Sequence, residues 1–386
     1  MKPFLEIDFL TMSSAFLPNR LNQEQQAALM QAIVEDNPSL IDEWQEKIQQ
    51  HFEVEYAVVF PSKSIAYQAL FFAASLNRFD RIIAPANAPF DVIGLALDKE
   101  IPCRLVDIDQ STGNMDIGLT LEAMSQRSTR GRSVVCLTHY EGAVMDVQQL
   151  QNESTNPNTL ILEDASCATG GFYLEGKPVG CSHRSDATLL SFANHSIVSA
   201  LDAACITTNH IAFYERLIAF RKMGRMSDDP KGHRIQQITG NHYPLPIQAQ
   251  LALMQWDFWN ERVSHFHDLI EAYRNALVDL PMVAVPPESL DTYSLYHGFA
   301  VQIDFNSMSF DKTEFLQRIQ DELPIREGYY PIYRLPCFQK CYGDKEEHFP
   351  RMESFFSSSL VLPVTLGMQT EDVKRICQQL KLAISQ

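Results

Sequence analysis

The chain has 386 residues, a formal net charge of −17 and 45% hydrophobic residues. That length suits two ordinary domains, and that hydrophobic share supports a large core and argues against a disordered chain. With 48 acidic against 31 basic residues and no basic run, the composition argues against a nucleic-acid partner, which would need clustered Lys and Arg.

The 8 cysteines show no two-pair zinc spacing, since Cys337 and Cys341 stand four apart with no second pair, and no metal is expected. No apolar stretch reaches membrane-spanning length, and Met1-Lys2-Pro3-Phe4 leads into no long apolar run. A reducing cytoplasm is the expected compartment.

In chain order, Leu21 to Phe52 carries helical periodicity, with Asn22 as a candidate cap and a break at Asn37-Pro38-Ser39. Tyr56 to Phe60 reads as a short apolar strand, followed by the polar turn Pro61-Ser62-Lys63-Ser64 and an apolar helix from Ile65 to Leu76. A strand, a polar turn and a helix N-terminus offer free backbone N–H groups to an anion, though an ordinary capped helix has the same pattern. Runs at Arg81–Pro85 and Arg104–Asp109 alternate with helices, giving a βαβ pattern. Val134 to Tyr140 places His139 at a strand end.

The stretch from Ile161 to Thr208 organises the rest. One apolar run stops at Glu163-Asp164, a second ends at Ser191-Phe192, and Ala203 to Thr208 has strand character. Acids and hydroxyls at strand ends are where open α/β sheets bind ligands. Helix then resumes at Ile211, and a long amphipathic helix is expected from Ile247 to about Leu280. After Pro286-Pro287, an alternating strand at Tyr296–Ile303, a helix at Lys312–Leu323, a short strand at Ile325 and a final helix at Thr370–Ile384 complete an α+β unit. The expected fold class is α/β. Residues 1–250 form a large domain with a mixed, mostly parallel sheet and helices on both faces, and residues 251–386 form a smaller C-terminal domain.

Several of these segments resemble the DegT-type sugar aminotransferases, a branch of the fold-type-I pyridoxal phosphate (PLP) enzymes. Glu163-Asp164-Ala165 matches the start of the family's E-D-A-A-Q, Gly176-Lys177-Pro178-Val179-Gly180 its G-K-x-x-G, and Ser191-Phe192 its S-F. Ser62 to Ala66 is similar to S-G-T-A-A, Asn241 to Ala249 to N-Y-R-x-x-x-I-Q-A, and Tyr329-Tyr330-Pro331-Ile332 to H-Y-x-P-x-H at the substrate pocket. The centre of the pattern departs at two places. The lysine that forms the Schiff base with PLP falls on Ser196, next to His195, and the G-E-G-G turn becomes Leu201-Asp202-Ala203-Ala204.

The resemblance implies a site. Ser64, Ile65 and Ser191 would hold the PLP phosphate, with Lys63 at a glycine position either adding a cation or ending the close backbone approach. Asp164 would face the pyridine nitrogen, Cys167 stands where a Gln contacts the ring hydroxyl, and Phe90 would stack on the ring after a one-residue shift. Asn241 would reach the partner's site in a homodimer. His139 is a second-tier candidate, Lys63 is expected at the phosphate end, and Lys177 is expected on the surface. The cofactor would be PLP or pyridoxamine phosphate (PMP), non-covalent if bound. The substrate would be a nucleotide-linked keto-sugar, and polysaccharide biosynthesis the setting. Three functions stay open: the family's transamination, a lysine-free sugar dehydration with His195 as base, and a non-catalytic homologue that binds a sugar or cofactor.

Overall fold

A computed structural model describes residues 23–385, apart from 36, 127–130, 154–157, 184, 195, 226–234, 236, 320–322 and 345–347. Its centre is a seven-stranded sheet in the order β1-β8-β7-β5-β4-β2-β3. The strands are β1 (Tyr56–Phe60), β2 (Arg81–Pro85), β3 (Cys103–Val106), β4 (Ser133–Thr138), β5 (Thr159–Asp164), β7 (Ala187–Phe192) and β8 (Ala203–Thr208). The neighbours from β3 through β7 pair in parallel, whereas β8 runs antiparallel to both β7 and β1.

Helices cover both faces, so β4, β7 and β8 are buried at every position and read as continuous apolar or small-residue runs. Alternation along a strand divides the core in two. Ala57 and Val59 join a cluster around Trp44 and Phe192, while Val58 and Phe60 join one around Tyr67 and Phe71. Helix Lys63–Ala73 follows β1 after a two-residue turn, with Ser62 as its cap.

The C-terminal part builds a three-stranded antiparallel sheet from β9 (Val283–Ala284), β11 (Gly298–Ile303) and β12 (Ser359–Pro363), in the order β12-β11-β9. Arg326 bridges to Val361 at its edge, so the short strand expected at Ile325 is this single bridge one residue further on. A two-stranded ribbon joins β6 (Phe172–Tyr173) to β10 (Thr292–Tyr293). The long helix expected from Ile247 is two helices, Pro246–Trp256 and Trp259–Leu277, broken at Asp257-Phe258. The break lets Trp256 and Trp259 lie with their rings 5.2 Å apart, both packed against His51. Among the described residues, no helix is long and apolar enough to cross a membrane.

Candidate active site

The parallel strands end at one edge of the sheet, and β11 and β12 face that edge across a cavity of about 690 Å³. Ser62, Lys63 and Ser64 at a helix N-terminus line one part, with Ser191 from the end of β7. Cys167 and Tyr329 line the middle, and Glu141, Gly298 and Arg326 another part.

At the helix start, the Ile65 N–H donates to Ser62 Oγ over 3.4 Å, and Ser64 Oγ donates to Asp91 Oδ1 over 2.6 Å. The first-turn N–H groups of this helix carry the positive end of its dipole. Ser191 Oγ accepts from the Ala193 N–H at 3.3 Å, and Ser191 is 2% exposed. Lys63 is partly buried and lines the cavity. Burial pulls its pKa down, but Asp164, then Cys167, Asp91 and Asp202, outweigh that and leave it above the usual lysine value. Among the surrounding acids, the one at the end of β5 raises it most.

Asp164 is 4% exposed and sits behind the cavity lining. Its Oδ1 accepts from the Ser166 N–H at 2.9 Å, and its Oδ2 accepts from the Tyr67 hydroxyl. Burial, and then the Asp164 carboxylate, push the Tyr67 hydroxyl well above its ordinary pKa, so Tyr67 stays a donor. Cys167 Sγ lies 3.7 Å from Tyr329 Oη, and burial, with Glu141 and Asp164 adding to it, pushes the thiol up to about 11. Cys167 is a neutral thiol at physiological pH.

The other sequence candidates fall in different places. Ser196 is 1% exposed, does not line the cavity, and its Oγ has no hydrogen-bond partner among the described residues. His195 lies outside the described residues. Ile65 is beside the cavity but does not line it. Phe90 is not brought to the cavity: it begins helix Phe90–Asp98, is 57% exposed, and its ring turns back over Gly94 of the same helix. Asn241 is exposed, bridged to Lys222 and away from this cavity. Lys177 pairs with Glu53 at the surface.

His139 belongs to another assembly. Its Nε2 lies 2.7 Å from Glu163 Oε1, and the Met145 N–H donates to its Nδ1 at 3.1 Å. That backbone donor puts the ring proton on Nε2, where it is donated to Glu163. The ring is fully buried and does not line the cavity. The replaced G-E-G-G turn keeps a left-handed backbone without glycine, with Leu201 at φ 52° and Asp202 at φ 61°. A bulky residue there is strained.

Sequence reasoning missed Glu141, Arg326, Gly298 and Tyr67. The local signals were slight: an acid one step beyond a strand-end Tyr, and a tyrosine inside an apolar helix.

The α/β fold is shared with solved sugar aminotransferases. PseC of Helicobacter pylori, an aminotransferase involved in the biosynthesis of pseudoaminic acid, superposes with a TM-score of 0.82 at 20% identity, over 96% of this chain and 99% of that one. The PMP form of the putative sugar aminotransferase Spr1654 from Streptococcus pneumoniae gives 0.83 at 16% identity, over 96% and 97%. Its PLP form superposes equally well. In sequence, the chain is 21% identical to GDP-perosamine synthase of Escherichia coli O157:H7 over 341 residues, which is 88% of this chain and 89% of that protein. Residues 19–381 match the model of the DegT/DnrJ/EryC1/StrS aminotransferase family, and the chain belongs to that family.

Proposed function

We propose that this chain binds a nucleotide-linked sugar in the cavity, with PLP or PMP held through its phosphate alone, and does not carry out lysine-dependent transamination. One observation carries the reading: Lys63 is the only described lysine lining the cavity, and it stands in the first turn of the helix whose N-terminus suits the phosphate.

The fit to a pyridoxal cofactor divides along the site. At the phosphate end, the helix N-terminus, the Lys63 ammonium and the Ser191 hydroxyl suit a phosphate. At the ring end, Asp164 accepts from Tyr67 and Ser166, one donor on each oxygen, and keeps acceptor capacity for a ring nitrogen. Ser196, which the resemblance aligns with the Schiff-base lysine, carries a hydroxyl that forms no imine and does not line the cavity. When bound, the pyridoxal group supplies an electron sink. The chain's own residues would fix the phosphate, orient the Asp164 carboxylate through the Tyr67 donor, and line the middle of the site with Cys167 and Tyr329.

Family membership and the nucleotide sugar in the name of GDP-perosamine synthase support the substrate class. A homodimer completed by Asn241 and a place in surface-sugar synthesis are part of the same proposal. The test is a visible spectrum with added PLP, then borohydride reduction and intact mass, alongside calorimetry with GDP-mannose, UDP-glucose and dTDP-glucose. The expected result is binding of at least one nucleotide sugar and no mass gain after reduction. A mass gain mapped to a lysine would restore Schiff-base chemistry. Loss of a sugar hydroxyl in the presence of PMP would favour dehydration instead.

A further inference from the structure

Glu141 is held under unusual constraint. It is 2% exposed, yet it lines the cavity. Its backbone is left-handed, at φ 50° and ψ 18°, a region that a glutamate enters only when its surroundings hold it there. Arg326 Nη2 donates to its Oε2 over 2.6 Å, and the arginine side chain itself is half-exposed. Gly298 leaves the approach clear, since a Cβ at that position would lie 2.6 Å from Oε2 and 3.1 Å from Arg326 Nη2. Oε1, by contrast, is buried and has no hydrogen-bond partner among the described residues.

A buried carboxylate oxygen without a donor is costly, and strained backbone adds to that cost. Native structures keep such an arrangement where a ligand completes it. The missing group must be a donor, because an ionised carboxylate only accepts. Arg326 already neutralises Glu141, so the remaining oxygen suits a neutral O–H better than a second cation. The same cavity carries Lys63 and a helix N-terminus, which suit an anion. With that anion site given to the cofactor phosphate, the sugar part of a nucleotide-linked sugar is the neutral O–H donor the cavity can receive.

We propose that Glu141 is a specificity-determining residue whose Oε1 accepts a hydrogen bond from a ring hydroxyl of the sugar, with Arg326 and Gly298 positioning it. This rests on the reading that the cavity holds a nucleotide-linked sugar. It adds the residue that distinguishes the sugar from the bare nucleotide.

The test measures calorimetric affinity for GDP-mannose, UDP-glucose and dTDP-glucose and for their parent nucleoside diphosphates. The readout is the affinity ratio of nucleotide sugar to parent diphosphate. Glu141→Gly removes the carboxylate at a position whose backbone suits glycine, so the turn is left intact. Glu141→Asp keeps the charge and draws the oxygen back by one methylene, and so remains informative if the glycine variant folds poorly. Each variant is expected to lower the ratio about tenfold, the scale of a lost hydrogen bond to a charged acceptor, with affinity for the diphosphate unchanged. An unchanged ratio in both variants overturns the contact and leaves the sugar-binding reading standing. Failure of the wild-type chain to bind any of the three nucleotide sugars overturns that reading and this contact together.

Discussion

Glu163 and Asp164 are neighbours on one strand and face opposite sides of the sheet. Glu163 is saturated. Its two oxygens accept from His139 at 2.7 Å, Ser185 at 2.9 Å, Thr188 at 2.8 Å and the Tyr173 hydroxyl, and it is 1% exposed. The Asp164 side is incomplete. Lys63 lines a cavity there, and Glu141 keeps an oxygen without a donor. The difference separates a polar group that finishes the fold from one that waits for a ligand, and burial alone would not have told them apart. Desolvation raises the Glu163 pKa, but the donors from His139, Tyr173 and Thr188 outweigh it and hold the acid below the usual glutamate value.

The strongest way to break this comparison is Glu163→Ala. It would strand four donors in the core and leave a cavity, so it should cost about 4 kcal/mol of unfolding free energy. Urea titration followed by circular dichroism measures the loss, and a cost under about 1 kcal/mol would mean that the network is not structural. Binding of a nucleotide sugar by the protein that remains folded should be unchanged.

Acid sharpens the comparison next. His51 packs against Trp259 with ring centroids 4.2 Å apart, and burial lowers its pKa to about 4. The unfolded chain takes up that proton near pH 6.5 and the folded chain only near pH 4. Between those values the unfolded state binds more protons, so stability is full above pH 6.5 and falls as pH drops toward 4. The loss should approach 3 kcal/mol, at about 1.4 kcal/mol per pH unit. His242, whose pKa burial also lowers, adds a smaller share to this window. His51→Gln should flatten the slope there, and a persistent slope would implicate another group.

Much of the scaffold was legible because its signals are local. Apolar runs ending in Asp164 and Ser191, and a polar turn before helix Lys63–Ala73, follow from strand length, side-chain period and capping chemistry. The constellation around Glu141 was not legible. It joins residues 141, 298 and 326 through the pairing of β11 with β12 and the Arg326–Val361 bridge, which no local pattern encodes. Phe90 lies away from the cavity for a different reason. A ring beginning a helix can point to the cavity or back along its own turn, and Gly94 leaves room for the second. The break at Asp257-Phe258 interrupts an amphipathic pattern that otherwise runs on unbroken.

The finest test concerns Tyr67, which shares the Asp164 carboxylate with any ring nitrogen that reaches it. Its hydroxyl is buried and donates to a carboxylate 97 residues away in sequence. Tyr67→Phe removes that donor and almost no volume, so the stability cost should be near 2 kcal/mol, the scale of a hydrogen bond to a charged group. Asp164 then keeps only the Ser166 N–H and, at longer range, Lys63. An under-satisfied buried carboxylate seeks a cationic donor, and a protonated pyridine is one. The variant should therefore bind PLP more tightly than the wild type, read as a fall in dissociation constant in a spectral titration. Equal or weaker binding would mean that Tyr67 supports the cofactor rather than standing in its place, and the contrast between a finished and a waiting side of β5 would then exclude Asp164.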